Sequence, residues 1–346
     1  MAVPALRYDF RHPPSAPSSP AERYQTCLEQ CAWAEQHGFG RVILSEHHAL
    51  ADGFLPSPLV AAAAVTGATR NLTVLVAAAL LPLYDTLRLA EDLAVLDLLS
   101  GGRVQIVAGI GYRDIEFDMF GIDRRGRGRY MEQQIHDLLA AWAGRPVTAH
   151  GREVVITPRP ASDPRSLIYV GGASEIGARR AAALDLGFAP ALPDPAMYTA
   201  YTEECARLGR APRRIIPGST HGFLFVTEDP EKAWEALAGY ALYEAVTYSS
   251  DKPESERSSA TVKGVDLAAV RASGVYQVVT PDECVELAKA LEPDQPLVFH
   301  PLMGGMPPDL GWASLELFAS KVLPRLSARP RPVGGDALAA RGRGLA

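Results

Sequence analysis

Three features are scarce in this sequence of 346 residues, and each scarcity excludes a class of protein. Only four cysteines are present, and none has CxxC or Cys/His spacing, so we expect neither a disulfide framework nor a zinc centre. The 34 Lys and Arg residues do not outnumber the 40 Asp and Glu residues, which argues against nucleic acid and anionic membranes as partners. The apolar run from Val74 to Leu83 is far shorter than the roughly 20 residues needed to cross a bilayer.

The remaining composition is that of an ordinary globular protein, with 47% hydrophobic and 21% charged residues. The first six residues lack the basic segment and the long apolar core of a secretion signal, so we expect a cytoplasmic location. A prior of about 150 residues per domain suggests two domains, but α/β barrels hold over 200 residues in one unit. Residues 1–326 are therefore predicted to be a single domain, and residues 327–346, rich in Arg, Gly, Pro and Ala, a disordered tail.

Short apolar runs alternate with amphipathic segments, which predicts repeated βα units around a parallel sheet. The predicted strands are Ala5–Phe10, Arg41–Ser45, Leu72–Leu80, Arg103–Ile110, Leu167–Gly171, Phe188–Leu192, Ile215–Val226 and Pro296–His300. The predicted helices are Ala21–His37, Ser57–Thr69, Asp85–Leu99, Arg129–Ala143, Ser174–Leu186, Pro195–Leu208, Pro230–Tyr248 and Trp312–Leu326. Eight strands with eight following helices favour a closed (β/α)8 TIM barrel over an open sheet.

Two insertions interrupt this rhythm. The first follows the fourth strand, from Tyr112 to Pro164, and contains a predicted hairpin that pairs Val147–Thr148 with Val154–Ile156. The second follows the seventh helix, from Ser249 to Gly274, and is strongly polar. Long polar insertions in compact domains are often functional, so we expect this one to close over a site as a lid.

The segment Ser45-Glu46-His47-His48 ends the second predicted strand, at the edge where barrels of this type carry their chemistry. Histidine exchanges protons near neutral pH, which makes this pair a candidate for acid–base work. Neighbouring residues of a strand point to opposite faces, so the two imidazoles are poorly placed to bind one metal ion. His221 and His300 could add ligands only if the fold brought them together, and we predict no metal site.

Two glycine-containing segments follow other predicted strands. Gly109 and Gly111 end the fourth strand, where a ligand can approach the backbone closely, but they lack the third glycine of a dinucleotide fingerprint. Gly171-Gly172-Ala173-Ser174 ends the fifth strand and opens a helix, whose free N–H groups could bind a phosphate. An ordinary strand–helix turn with Ser174 as N-cap explains the second segment equally well.

Three blocks together resemble the bacterial luciferase-like family of flavin-dependent oxidoreductases. The first is Glu46-His47-His48 with the following Pro56–Ala63, and the second runs from Leu81-Pro82 through Arg88, Glu91-Asp92-Leu93 and Leu96-Asp97 to Gly102-Arg103. The third is Gly109-x-Gly111-Tyr112 with Glu116-Phe117 and Phe120–Asp123. Segments at Gly171–Ser174 and Gly304–Pro308 are also similar to that family, so the resemblance covers roughly residues 40–190 and 296–326.

The resemblance implies a packed barrel that binds reduced flavin at its carboxyl-terminal mouth and uses oxygen to oxidise a small organic substrate. His47 matches the histidine that assists the oxygen chemistry, and His47 and Glu46 are the implied catalytic residues. Ala77-Ala78 matches a non-proline cis peptide next to the flavin. The implied cofactor-binding residues are Ala77, Ala78, Gly109, Gly111, Glu116, Gly171, Gly172, Ala173 and Ser174.

One departure from the family concerns the flavin phosphate, because Ile110 stands where luciferases carry an arginine. Arg113, Arg179, or Ser174 with backbone amides could take over that role. The cofactor is then reduced FMN or, as in a relative of the family, a deazaflavin that transfers hydride. A non-catalytic flavin-binding subunit is a third interpretation, which the retained His47 disfavours.

The chain contains no dinucleotide-binding fingerprint, so the resemblance implies a separate flavin reductase as partner, and the family suggests a homodimer. Large apolar residues near strand ends suggest an apolar substrate. These residues are Phe54, Leu55, Met119, Phe120 and Met303.

Overall fold

The computed structural model describes residues 2–149, 151–250, 261–262 and 266–327. Its strands are β1 Val3–Tyr8, β2 Arg41–Leu44, β3 Thr73–Leu80, β4 Val104–Gly109, β5 Val147–Ala149, β6 Arg152–Val154, β7 Ile168–Gly172, β8 Gly187–Pro190, β9 Phe223–Val226, β10 Tyr276–Val279 and β11 Pro296–Phe299. The predicted tail, apart from Ser327, and half of the predicted lid lie outside the described residues.

Thirteen α-helices occur within the described residues, together with short segments of 3-10 and π helix. They are α1 Pro20–Gln36, α2 Pro58–Ala68, α3 Thr86–Ser100, α4 Asp114–Phe120, α5 Arg127–Trp142, α6 Pro164–Leu167, α7 Glu175–Ala183, α8 Pro195–Arg207, α9 Pro230–Ser250, α10 Leu267–Ala272, α11 Pro281–Ala290, α12 Pro308–Leu317 and α13 Leu323–Ser327. Short 3-10 turns cover Leu81–Leu83 and Met303–Gly305, and a π-turn covers Phe318–Val322. None of the described helices combines the length and hydrophobicity that crossing a bilayer requires.

Seven parallel strands form one curled sheet in the order β11-β1-β2-β3-β4-β7-β8. β9 and β10 pair in parallel as a separate two-stranded sheet, and β5 and β6 form the predicted hairpin, with Val147 opposite Val154. The α/β architecture with a curled parallel sheet is therefore confirmed. A closed ladder of eight strands is not, because the described residues contain one isolated bridge, Phe188 to Ile215, where β8 would continue to a neighbour.

The predicted strand Ile215–Val226 is wrong as a single element. Its start forms the isolated bridge to Phe188, and a regular strand resumes only at Phe223. Pro217 cannot donate a ladder hydrogen bond. Gly218 lies so close to the backbone at Leu192 that a β-carbon would be 2.6 Å from the Leu192 carbonyl carbon. The chain therefore leaves strand geometry here to pass over the β8 loop.

Local sequence explains most helix boundaries. Ser19 and Glu22 form a capping box at the start of α1, and Asp85 accepts two N–H groups at the start of α3. The end of α3 adopts a left-handed turn, with φ values of 65° at Gly101 and 83° at Gly102. Four short helices and β10 were not predicted, and each has ten or fewer residues. They are α4, α6, α10 and α11 together with β10.

Two long side chains fasten the loop between α2 and β3, at the amino-terminal end of the sheet. The Glu35 carboxylate accepts N–H groups from Arg70, Asn71 and Leu72. The Arg103 guanidinium donates to the carbonyl oxygens of Thr66, Thr69, Leu72 and Ser100 at 2.8–3.3 Å. This rim, defined by Glu35, Arg103 and residues 66–72, lies at the opposite end of the strands from the site described next.

Candidate active site

A cavity of about 360 Å³ lies inside the curled sheet and extends to the carboxyl ends of the strands. All of the predicted site residues line it except Glu116, which lies behind His47. The lining members of that set are Glu46, His47, Ala77, Ala78, Gly109, Gly111, Gly171, Gly172, Ala173 and Ser174. Blocks far apart in sequence therefore meet at one place, as the strand order requires.

His47 follows β2 and is held from two sides. Its Nδ1 lies 2.8 Å from Glu116 Oε1, and the Tyr112 hydroxyl lies 3.3 Å from Nε2. Burial raises the pKa of Glu116, but hydrogen bonding to His47 and the nearby Arg113 outweigh burial and lower it, so the carboxylate is ionised. Burial raises the pKa of Tyr112 well above its usual value, so its hydroxyl keeps its proton. A carboxylate on one ring nitrogen fixes the imidazole and leaves the other nitrogen toward the cavity.

Glu46 and His48 form a second pair. His48 Nε2 lies 2.9 Å from Glu46 Oε1, and Glu46 Oε2 accepts the N–H of Leu80 at 2.9 Å. The His48 ring contacts Phe120 and does not line the cavity, as the alternation along the strand predicts. Both carboxylate oxygens of Glu46 are thus engaged, and they connect the end of β2 to the end of β3.

The peptide bond between Ala77 and Ala78 is cis, as the resemblance predicted. The register between β3 and β4 shifts at this point, and Gly109 packs directly against it. A β-carbon on Gly109 would lie 2.7 Å from the Ala78 β-carbon, and one on Gly171 would lie 2.8 Å from Val107 Cγ1. The glycines therefore let β3, β4 and β7 pack closely at the cavity wall, where the lining is made of small and apolar residues.

A second close approach between backbone segments, again at glycines, follows β7. Gly172 and Gly177 are so close that a β-carbon on either would lie 3.1 Å from the other's α-carbon. Ser174 is the N-cap residue of α7, yet its side chain makes no cap hydrogen bond. Ser174 and Gly177, at the start of α7, both line the cavity.

Of the two arginines considered for an anionic group, neither lines the cavity. Arg113 donates to the His48 carbonyl oxygen at 2.6 Å and contacts Glu116, while Arg179 pairs with Glu175 on the surface. Arg180 lines the cavity instead. Its Nε donates to Glu132 at 2.6 Å, and Gly128 of α5 gives its guanidinium room.

The apolar residues expected at the mouth are also placed elsewhere. Phe54, Leu55 and Met303 are buried in the core, and Met119 and Phe120 are exposed on α4. None of the five lines the cavity. Its wall instead contains two residues that local patterns did not single out, Arg7 and Tyr248, which are 241 positions apart.

The other histidines considered for metal binding have separate partners. His221 Nε2 accepts the N–H of Val298 at 3.1 Å, and burial lowers the pKa of His221 to about 4. His300 lies between Asp9 and Glu244. Neither histidine lines the cavity with His47.

The sheet is curled and parallel, and the cavity at the carboxyl ends of its strands has His47 in its wall. These features are typical of barrel-type enzymes. The particular family follows from sequence comparison. The profile described as "Luciferase-like monooxygenase" matches residues 8–293, and the chain belongs to that family.

Curated relatives match shorter segments. An alkanal monooxygenase alpha chain from Photorhabdus laumondii is 41% identical over 90 residues, which are 26% of this chain and 25% of the relative. The oxygenase component of a flavin-dependent trigonelline monooxygenase from Acinetobacter baylyi is 25% identical over 146 residues, 42% of this chain and 40% of the relative. The chain thus matches two fifths or less of the length of these relatives.

Solved structures share the fold over nearly the whole chain. The oxygenating constituent of a 3,6-diketocamphane monooxygenase from Pseudomonas putida, in complex with FMN, has 18% identity and a TM-score of 0.70, covering 94% of this chain and 99% of the other. An F420-dependent secondary alcohol dehydrogenase has 18% identity and a TM-score of 0.67, covering 93% and 98%. At these identities the likeness establishes the fold alone.

Proposed function

We propose that this protein is the oxygenase of a two-component flavin monooxygenase. It would use reduced FMN, delivered by a separate reductase, and molecular oxygen to oxidise a small organic substrate. The observation that carries the proposal is His47, fixed by an ionised Glu116 at one nitrogen and facing Tyr112 and the cavity with the other. Such an imidazole can take up or release a proton at Nε2 without moving.

The cavity fits a flavin ring on chemical grounds. Gly109, Gly111 and the Ala77-Ala78 segment would hold the planar ring, because they line the cavity and β-carbons at the glycines would press on Ala78 and Phe117 and displace this part of the wall. When bound, reduced FMN supplies the electrons that reduce oxygen. The contribution of the protein is to position His47 for proton transfer and to keep the ring away from bulk water. Glu46 would act by holding the ends of β2 and β3 in place.

The phosphate of FMN would occupy the end of the cavity formed by Ser174, the start of α7 and Arg180. N–H groups at a helix start and a guanidinium are both suited to a phosphate. Arg180 supplies the positive charge that Ile110 cannot. It replaces both Arg113 and Arg179 as the candidate, because it alone of the three lines the cavity.

The test compares FMN with riboflavin, which lacks the phosphate, by fluorescence titration of the whole chain. We expect Arg180→Gln to weaken FMN binding about tenfold or more, since a charge-assisted phosphate contact is worth about 1.5–3 kcal/mol. Riboflavin binding should change little. Arg179→Gln is the matched control, since it removes the neighbouring surface arginine. Equal loss for both flavins, or for both variants, would refute the phosphate assignment.

The activity itself is tested with reduced FMN, isotopically labelled oxygen and a panel of small organic compounds. Incorporation of label into a product, lost in His47→Ala, is the expected result. Unchanged turnover in His47→Ala would remove His47 from the mechanism. Tight binding of a deazaflavin with no FMN binding would identify a hydride-transferring oxidoreductase instead.

We further propose that the described residues act as one catalytic domain that forms a homodimer in the cytoplasm. Four cysteines, all free and buried, fit a reducing compartment. Exposed aliphatic side chains on α2 and α3 support a dimer contact, and large exposed aliphatic groups mark interaction surfaces. They are Val60, Val95, Leu98 and Leu99. Sedimentation velocity of a Leu98→Glu, Leu99→Glu variant should show a shift from dimer to monomer.

A further inference from the structure

A cluster of charged side chains lies beside the cavity wall, between β1, β11 and α9. Its members, named here the His300 cluster, are Arg7, Asp9, Arg11, Glu244 and His300. Asp9 and His300 are completely buried, and Glu244 is nearly so. Neither the family assignment nor the proposed chemistry gives this cluster a role.

His300 lies between two carboxylates. Its Nε2 is 3.4 Å from Asp9 Oδ1, and its Nδ1 is 3.5 Å from Glu244 Oε1. The two nitrogens of an imidazole point away from each other, so each carboxylate faces a different nitrogen. One metal ion binds a single ring nitrogen. One nitrogen of His300 and one oxygen of each carboxylate do lie within 4.8 Å of one another, but the shortest contacts use both ring nitrogens. An imidazolium carries an N–H on each nitrogen and matches this arrangement.

The charges around His300 also favour a protonated imidazole over a metal ion. Arg7 lies 3.5 Å from Glu244 and 4.0 Å from Asp9. Arg11 Nε lies 3.7 Å from Asp9, and another Arg11 nitrogen pairs with Asp52. Among the groups paired within 4.0 Å, two guanidinium groups thus face three carboxylates, which leaves one negative charge. The buried Arg23 also acts on Asp9, but it forms no ion pair with it and donates to the carbonyl oxygens of Leu302 and Met306. A single proton on His300 neutralises it, whereas a divalent cation would be repelled by both arginines.

The pKa shifts of the cluster members agree with this balance of charges. Burial lowers the pKa of His300, but Asp9 and Glu244 outweigh burial and raise it above the usual value. Burial likewise raises the pKa of Asp9, and His300 with the arginines reverses that shift. Tyr276 of β10 also faces the cluster, and burial raises its pKa, so it stays neutral.

The His300 cluster is connected to the cavity through Tyr248. Arg7 donates to the Tyr248 hydroxyl at 2.6 Å, and the Arg11 guanidinium lies 4.9 Å from the centre of the Tyr248 ring. Tyr248 lines the cavity, with its ring 6.5 Å from that of His47. Glu244 precedes Tyr248 by one turn of α9, so the cluster holds the turn that carries this wall residue.

We propose that His300 is a positioning residue, kept as an imidazolium, that fastens the end of α9 to β1 and β11 and thereby fixes Tyr248 in the cavity wall beside His47. The proposal does not depend on which cofactor the cavity binds. Because the folded state holds the His300 proton more tightly than the unfolded state, the stabilisation is complete below the ordinary histidine pKa of about 6.5. It is lost as the pH rises through the raised value.

The first experiment reads the protonation state directly. Imidazole ¹⁵N spectra of the whole chain should show one histidine doubly protonated at pH 8, and His300→Gln should remove that signal. His136→Gln is the matched control, since it makes the same change at an exposed position of α5. A neutral His300 ring at pH 7 would overturn the proposal, and this result needs only the wild-type protein.

The second experiment reads the position of α9. Hydrogen–deuterium exchange of peptides from Pro230–Ser250, corrected for intrinsic rate, should rise at least tenfold between pH 7 and pH 10 in the wild type, while peptides from α5 stay protected. In His300→Gln the α9 peptides should exchange fast already at pH 7, with no further rise. Equal exchange in both proteins would overturn the positioning role. Stabilisation by Zn²⁺ or Mn²⁺ that disappears in His300→Gln would identify a metal site instead.

Discussion

His47 and His300 are both held by carboxylates, yet the two regions around them differ in one respect. His47 has a carboxylate at one nitrogen and the cavity at the other, whereas His300 has a carboxylate at each nitrogen and no access to solvent. The first arrangement lets a proton come and go, and the second retains it. The number of carboxylate neighbours thus separates a histidine suited to reaction from one suited to structure.

The sharpest way to break this comparison is to make the same substitution at both positions. We expect His47→Gln to lower turnover about 10²- to 10⁴-fold, the usual contribution of general acid–base catalysis, with little loss of stability. We expect His300→Gln to lower the free energy of unfolding by about 3–5 kcal/mol, because it leaves buried carboxylates without their cation. Urea unfolding and product formation measure the two effects. Similar profiles for both variants would remove the distinction.

The pH dependence of stability should also separate the two regions. The pKa of Glu116 is lowered in the folded state, so its stabilisation is present above the ordinary pKa and is lost as the pH falls through the lowered value. His300 shows the opposite sign and loses its contribution on the alkaline side. Between pH 3 and 10, the melting temperature should therefore depend less on pH at the acid end in Glu116→Gln and at the alkaline end in His300→Gln.

A substitution at Gly109, which packs against Ala78, tests whether ligand binding beside His47 depends on the absence of a side chain at this position. We expect Gly109→Ala to weaken FMN binding by about tenfold, because its β-carbon would lie 2.7 Å from that of Ala78. Gly239→Ala is the control, since this exposed helical glycine has no atom within 4 Å of the added carbon. The control should gain about 0.5–1 kcal/mol in stability. FMN titration and thermal unfolding distinguish the two.

The smallest effect is expected at Tyr112. Removing its hydroxyl in Tyr112→Phe takes away a contact of 3.3 Å to His47 Nε2 while leaving the ring in place. A neutral hydrogen bond of this kind is worth about 1 kcal/mol, so turnover should fall about fivefold. A loss as large as that of His47→Gln would show that the Tyr112 hydroxyl takes part in the proton transfer together with His47.

The sequence predicted one part of the fold well and another poorly. The strands up to β8 lie within a few residues of their predicted positions, because each is an apolar run followed by a regular helix. After β8, the pattern is broken by Pro217 and Gly218, and β10 directly follows the polar segment 249–274, so periodicity did not place β9 and β10 correctly, whereas β11 was predicted. Closure of the sheet depends on contacts between distant segments, which local patterns do not encode.

The sequence likewise pointed to some of the residues that line the cavity and missed others. The predicted site residues that line the cavity were singled out because short motifs mark strand ends. Arg180 was missed in favour of its neighbour Arg179, since the choice between them depends on room provided by Gly128 of another helix. The contact between Arg7 and Tyr248 joins residues 241 positions apart, and only the folded chain reveals it.

The rim formed by Glu35, Arg103 and residues 66–72 has a consequence for protein engineering. Its hydrogen bonds fix the start of β3 through backbone groups at the end of the sheet away from the cavity. Loops at the cavity end can therefore be exchanged among homologues without disturbing this anchor. Libraries aimed at new substrates should vary positions in the cavity-end loops other than the proposed site residues, and should leave Glu35 and Arg103 untouched.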